Sequence, residues 1–312
     1  VIISVSRRTD LPAFHAAWFA ERLRAGYCLV PNPYNARQIS RISLAPSDVD
    51  AFVFWTRHIE PLIPTLRTLQ ERQTPICVHY TLTGYPRALE PRTPPPEKAL
   101  PTLRSVSALL PRGAVIWRYD PILLSTALPA RFHIENFARL AAYLEGAVEQ
   151  VAVSLITPYQ KTQRALAKLA GYTDVAFLEQ GNSPEIIDLL GTMATQARRH
   201  GITMQACAQP HDYRAIGISS AKCIDGELLT RLYGGLWPTR KDPGQRPLCS
   251  CIPSRDIGVA NTCLFGCTYC YATRSLKLSE QRCQARAAGS ESLADLGPTF
   301  PAAVPTAAIS KM

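Results

Sequence analysis

Cysteine is the residue type whose distribution in this 312-residue sequence demands a chemical explanation. Five of the ten cysteines fall in the twenty-two residues from Cys249 to Cys270, reading CSCIPSRDIGVANTCLFGCTYC. Packing gives no reason for such a density. Cys263, Cys267 and Cys270 have the spacing CxxxCxxC. Three thiolates on one tight loop can hold three irons of a [4Fe-4S] cube and leave the fourth iron for another ligand or a substrate. Gly266 lets the backbone turn closely around such a cluster. A zinc knuckle is the alternative for the same thiols, and Cys283 is a candidate fourth ligand that would close the site.

Cys249 and Cys251 form a CxC pair, and Cys207 and Cys223 each fall just past an expected strand. Together they are enough for a second complete site, either another [4Fe-4S] cluster or a structural zinc. The competing reading makes Cys207 and Cys223 buried, apolar-like side chains. Cys28 and Cys77 lie inside apolar runs and read as core.

The elements that must position these thiols alternate along the chain. Short apolar runs are expected as strands at Ile2–Ser6, Tyr27–Val30, Ala51–Trp55, Ile76–Tyr80, Val115–Trp117, Val151–Leu155, Ile202–Ala206 and Ala215–Ser219. Helical segments separate most of them, the first from Pro12 to Arg24. Continuous apolar strands joined by helices point to a parallel sheet covered on both faces. Eight such units predict an α/β fold of the (β/α)8 TIM-barrel type over residues 1–236. A cysteine-rich extension over 237–288 is expected to pack across the barrel mouth, and an Ala/Pro/Ser/Thr-rich stretch over 289–312 reads as a flexible tail. The proline-rich segment Pro86 to Pro96 reads as an exposed irregular loop.

Barrels of this kind place their sites just beyond the strands, where polar residues fall here. Arg7 and Asp10 follow the first strand, and Arg118 and Asp120 end the fifth. Arginine offers a rigid fork for carboxylate or phosphate, so these four residues are candidates for cofactor or substrate contact; helix capping by Asp10 and an Arg118–Asp120 ion pair are the structural alternatives. Asn32, Asn35, Trp55, Thr56, His79, Thr81 and Tyr85 are expected to line adjacent positions. Asp256, between the cysteine groups, either turns the chain or anchors an arginine.

The formal charge is +10, from 34 Lys plus Arg against 24 Asp plus Glu. It is spread along the chain, which suits an anionic substrate and leaves nucleic acid as a partner to be tested. No run is apolar enough to span a membrane, and the start VIISVSRRTD lacks the order of a secretory signal. A reducing cytoplasm is therefore expected, where clustered cysteines act as metal or redox ligands.

Two resemblances sharpen this reading. The CLFGCTYC run, with aromatic Tyr269 before its last cysteine, resembles the signature of radical S-adenosylmethionine enzymes. That resemblance implies a [4Fe-4S] cluster on Cys263, Cys267 and Cys270, S-adenosylmethionine at the open iron, Tyr269 beside the cofactor and a partial or complete barrel. It also implies oxygen sensitivity and a flavodoxin- or ferredoxin-type reductant. Across nearly the whole chain, SRRTDLPA, FWTR, WRYDP, KCID, CSCIPSRDIG and TCLFGCTYCYA look like the DUF1848 family, which brings no assigned function. The leading expectation is thus a radical S-adenosylmethionine-type enzyme. A non-catalytic iron-sulfur protein for electron transfer or sensing, and a zinc-stabilised nucleic-acid binder, are the alternatives.

Overall fold

The computed structural model describes residues 1–35 and 37–294. β1 (Ile2–Val5) leads through α1 (Leu11–Phe14) and α2 (Ala16–Ala25) to β2 (Tyr27–Pro31) and β3 (Ile39–Ser43). β4 (Ala51–Thr56), α3 (Ile63–Glu71), β5 (Ile76–Thr81), α4 (Pro96–Leu109), β6 (Val115–Ile122), α5 (Ala130–Leu144) and β7 (Gln150–Leu155) then alternate. After α6 (Gln160–Leu166), α7 (Pro184–Arg199) and β8 (Thr203–Cys207) come β9 (Ser219–Ala221), α8 (Gly226–Tyr233), β10 (Arg255–Asp256) and α9 (Leu276–Ala285). Eight strands form one sheet in the order β10-β1-β4-β5-β6-β7-β8-β9, with every neighbouring pair parallel. The protein is therefore an α/β fold built on a large parallel sheet whose two ends are β9 and β10.

The strands differ from the expected set at three places. Tyr27–Val30 is not in the main sheet; as part of β2 it pairs antiparallel with β3. Only alternate residues of β2 are buried, so it has one apolar face, which suits a ribbon covered on one side and not a strand buried on both. The eighth place is taken by β10, two residues of the cysteine-rich segment, with Ile3 opposite Arg255 and Ser4 opposite Asp256. Ala215–Ser219 is likewise not a strand as drawn: Arg214–Ile216 is a 3₁₀ turn, Gly217 at φ 79° redirects the chain, and pairing begins at Ser219. The helix expected from Pro12 is interrupted at His15, which ends α1 and precedes α2.

Side-chain alternation divides the core in two. On one face Phe52, Phe54, Val78, Tyr80, Trp117 and Tyr119 pack with residues such as Phe19, Leu103, Phe137 and Met193 from the surrounding helices. The other face carries smaller residues, Ala51, Val53, Cys77, Ile116 and Ala152, against Leu228 and Leu229 of α8 and Cys251 and Ile252. Each fully buried Leu, Ile or Phe contributes about 1.5–3 kcal/mol relative to exposure. The second face continues toward the C-terminal strand ends as Trp55, His79 and Arg118, since Trp55 pairs with His79 and Arg118 with Thr81.

The start of the expected flexible tail is packed. Leu293 is 1% exposed, Trp18 Nε1 donates to the Ser290 carbonyl at 2.8 Å, and Leu29 N donates to the Glu291 carbonyl at 2.8 Å. The remainder of that stretch, 295–312, lies outside the described residues. Among the described residues no helix is long and apolar enough to cross a membrane.

His133 of α5 gives the core a pH signature. Its Nδ1 accepts from Tyr119 Oη at 3.0 Å when Nε2 donates to the Leu123 carbonyl at 3.2 Å. Burial pushes its pKa from 6.5 down to about 4. The folded state thus holds it neutral, so its contribution is present above pH 6.5 and is lost as pH falls toward 4. Asp10, raised by burial to about 7, contributes with the opposite sign between about 4 and 7. A difference measurement separates the two. Between pH 6 and 5, His133→Gln should lose urea stability less steeply than wild type, by about 1 kcal/mol per pH unit; equal slopes would contradict the assignment.

Candidate functional site

Asp256 fixes the cysteine-rich segment against the start of the chain. Its carboxylate accepts from Ser4 Oγ and Ser6 Oγ, both at 2.6 Å, from Arg7 N at 2.8 Å and from Gly258 N at 3.0 Å. Ser4 and Ser6 are fully buried serines that would otherwise leave hydroxyls unpaired, and a charged acceptor answers both. Gly258 allows the close approach, because an added Cβ would overlap Ser6 Oγ and Cβ.

The first thiol group lies at the C-terminal ends of β8 and β9. Cys207 Sγ and Cys223 Sγ are 3.4 Å apart, Arg118 Nη1 donates to Cys223 Sγ at 3.0 Å, and Ile224 N donates to Cys251 Sγ at 3.4 Å. Cys223, then Cys249 and burial raise the Cys251 thiol above the usual range. Hydrogen bonds from Cys207 and Cys251, together with Arg118, hold Cys223 well below the usual thiol range, while Cys207 is raised by its bond to Cys223 and by burial. Cys249 is lowered to about 6, first by Cys251. Arg118 is itself held by an ion pair with Asp120, which also accepts from Ser154 Oγ. Next to this group, Trp55 and His79 stack with centroids 5.2 Å apart, the Arg7 guanidinium lies 4.8 Å from the Trp55 centroid, and His79 Nε2 donates to the Cys223 carbonyl at 2.6 Å.

The second thiol group is the CxxxCxxC loop. Burial raises Cys263 and pushes Cys267 up to about 12. Gly266 takes φ 72° in the turn, and Cys270 N donates to the Cys267 carbonyl at 3.0 Å. Beneath the loop, Arg57 Nη1 pairs with Glu90 Oε1 at 2.8 Å and Nη2 donates to Tyr269 Oη at 2.6 Å, while Tyr269 Oη also donates to Glu90. Burial opposes the Arg57 charge, but Glu90, Tyr269 and Cys267 hold it firmly protonated. Phe265 packs edge-on to Phe14 at 4.6 Å, and His15 Nε2 donates to the carbonyl of Thr262 at 3.0 Å. Lys161 reaches the far side, donating to the carbonyls of Tyr271 and Thr273 at 2.9 and 2.8 Å.

The sequence-predicted residues thus separate into two neighbourhoods. Cys207 and Cys223 lie with Arg118 and Asp120, with Cys251 at the neighbouring Ile224 amide and Cys249 two residues from it; Asp10 lies by Cys263, and Tyr269 is part of the CxxxCxxC loop itself. Asp10 is committed to structure, capping α1 through Ala13 N at 3.0 Å and accepting from Thr56 Oγ1 at 2.8 Å and Arg57 N at 2.6 Å. Arg7 joins the two neighbourhoods, since its guanidinium lies over Trp55 and its carbonyl accepts from Tyr271 Oη; its buried Nη2 has no partner among the described residues. Cys283 donates to the Thr262 carbonyl at 3.4 Å. Asn32 and Asn35 do not line the strand ends; they brace the β2–β3 turn, which follows from the placement of β2 outside the sheet. Tyr85 hydrogen-bonds Pro121 and Leu123 within the helix-side core.

Glu90 and Arg57 were not among the expected site residues. Glu90 is 3% exposed inside the proline-rich stretch that reads as an exposed loop. That stretch is instead a shelf for the CxxxCxxC loop, accepting from Thr268 N at the Leu89 carbonyl and from Thr268 Oγ1 at the Ala88 carbonyl, both at 2.9 Å. Glu90 amid prolines has no periodic signal; an acid facing the basic FWTR segment was the only hint. Among the described residues, no set of three or more His, Cys, Asp and Glu side chains converges as it stands on a point that could hold a metal ion.

The molecule is thus an eight-stranded parallel α/β protein that gathers grouped cysteines at the C-terminal strand ends. The chain belongs to the DUF1848 family: the model of that family, described as a domain of unknown function, matches residues 2–272, from β1 to just beyond Cys270. No curated protein matches the chain.

Removing the Asp256 carboxylate should release the whole segment. Hydrogen bonds to a charged group are worth about 1.5–3 kcal/mol each and are not additive, so Asp256→Ala should cost about 3 kcal/mol in denaturant unfolding and open the 237–258 region to limited proteolysis. Gly258→Ala should do the same through the clash with Ser6. Proteolysis at the wild-type rate in both variants would show that this anchor does not hold the segment.

Proposed function

We propose that this protein is an iron-sulfur enzyme of the radical S-adenosylmethionine type, with a [4Fe-4S] cluster on Cys263, Cys267 and Cys270. The donor set supports the reading: three thiols share one tight loop, turned at Gly266, while Cys283 points its Sγ at the Thr262 carbonyl. Three thiolates leave one iron of a cube for an outside ligand. When bound, cluster and S-adenosylmethionine supply one-electron reductive cleavage of a sulfonium carbon–sulfur bond.

The protein's own residues have separable tasks. Arg57 places a partly buried cation beside Cys267, and Lys161 places a more exposed one beside Cys270, each offsetting thiolate charge. Glu90 and Tyr269 fix Arg57 and the loop in one geometry. Phe265 and Phe14 keep water from one side. Arg7 offers its unpartnered Nη2 to an anionic group, and the carboxylate of the cofactor or substrate fits that donor. In this reading the sheet is of the (β/α)8-barrel type, with the cysteine-rich segment across its mouth bridging the terminal strands, and the enzyme works in the cytoplasm with a flavodoxin- or ferredoxin-type reductant.

Anaerobically purified protein, reduced with dithionite, should give the EPR signal of a [4Fe-4S]⁺ cluster that changes on adding S-adenosylmethionine. Cys267→Ala should lose that signal and its response. A signal that ignores S-adenosylmethionine would reject an open iron, and a wild-type signal in the variant would reject the ligand set.

A further inference from the structure

We propose that Cys207, Cys223, Cys249 and Cys251 bind a single Zn²⁺ ion in a tetrahedral tetrathiolate site that joins the two ends of the sheet. This goes beyond the proposed cluster and does not rest on it.

Spacing favours one ion over a cube. At a Zn–S distance of about 2.3 Å, the edge of a tetrahedron of sulfurs is about 3.8 Å. Cys207 Sγ and Cys223 Sγ stand 3.4 Å apart. Thiolates on the corners of a cube point outward from separate irons and must lie much further apart. The amide of Ile224, the residue after Cys223, donates to Cys251 Sγ at 3.4 Å, and Cys249 is two residues from Cys251, so the four thiols share one neighbourhood. They do not yet form a tetrahedron. Loading has to rotate the thiols inward, and their protons leave to solvent as metal–sulfur bonds form.

The surroundings suit the charge of the product. Zn²⁺ with four thiolates carries a net charge of −2, in a region where a lone anion would be costly. Arg118 already donates to Cys223 Sγ at 3.0 Å and is itself fixed by Asp120. The Ile224 amide donates to Cys251 Sγ at 3.4 Å, the type of outer contact that orients and tunes metal thiolates. Arg7 and Arg246 add positive charge near Cys249.

Topology supplies the purpose. Cys207 ends β8, Cys223 lies two residues beyond β9, and Cys249 and Cys251 precede β10. β9 and β10 are the terminal strands of the sheet order, each with a single neighbour. β10 has only two residues of pairing with β1. A tetrathiolate ion would therefore tether the ends that strand pairing leaves separate, a closed structural centre and not a catalytic one.

The full chain, purified anaerobically and dialysed against a chelator, should retain about one zinc per chain. Cys267→Ala should keep that zinc while losing iron, and Cys251→Ser should lose zinc while keeping iron. Co²⁺ added to metal-depleted wild-type protein gives a readout that does not depend on any variant folding: it should show the intense visible bands and sulfur-to-cobalt charge transfer of tetrahedral tetrathiolate cobalt. Iron and sulfide sufficient for two cubes with no zinc, or the weak spectrum of six-coordinate Co²⁺, would overturn the proposal. Zinc without iron in wild type would count against the triad's cluster alone; iron without zinc would count against this site alone.

Discussion

The carboxylate of Asp256 is where the first strand and the cysteine-rich segment meet. Four donors converge on it, three from β1 and the residues just after it and one from Gly258. Because β10 pairs over only two residues, backbone hydrogen bonds alone do not explain why the cysteine-rich segment lies here. A charged acceptor between two buried serines does, since losing it would strand polar groups away from water. Both thiol groups depend on that anchor: the CxC pair lies before it in sequence and the CxxxCxxC loop after it.

A parallel sheet sends every strand end of one sense to the same side, and this chain concentrates its ionisable side chains there. Two arginines in ion pairs divide the work. Arg57, tied to Glu90 and Tyr269, faces the CxxxCxxC loop; Arg118, tied to Asp120, faces Cys223. Buried ion pairs of this kind contribute little net stability, because desolvation offsets much of the attraction, but breaking one leaves a costly lone charge. Their presence next to thiols makes sense if the thiols become thiolates, whose charge the arginines can then share. Arg7, stacked on Trp55 and linked through its carbonyl to Tyr271, stands between the two neighbourhoods.

Much of the α/β architecture is legible in the sequence, because strands buried on both faces leave continuous apolar runs that helices must separate. Ala51–Trp55 and Val151–Leu155 are examples, and both are strands of the sheet. Tyr27–Val30 has the same composition but only one buried face, a difference that four residues do not announce. β10 is invisible for the opposite reason: Arg255 and Asp256 have no strand propensity, and their pairing is imposed by contacts some 250 residues away in sequence. Spacing sets the CxxxCxxC loop apart from the CxC pair, and the expected strand ends join Cys207 and Cys223 to that pair. Their partners do not, for Glu90 hides in a proline-rich stretch and Arg57 gains its importance only from what folds over it.

Whether one anchored segment completes two thiol centres of different kinds is read directly by anomalous diffraction from crystals grown anaerobically, recorded at the iron and zinc absorption edges. The account predicts an iron peak within bonding reach of Cys263, Cys267 and Cys270 and a separate zinc peak among Cys207, Cys223, Cys249 and Cys251. Iron at both positions, or metal at neither, would contradict it.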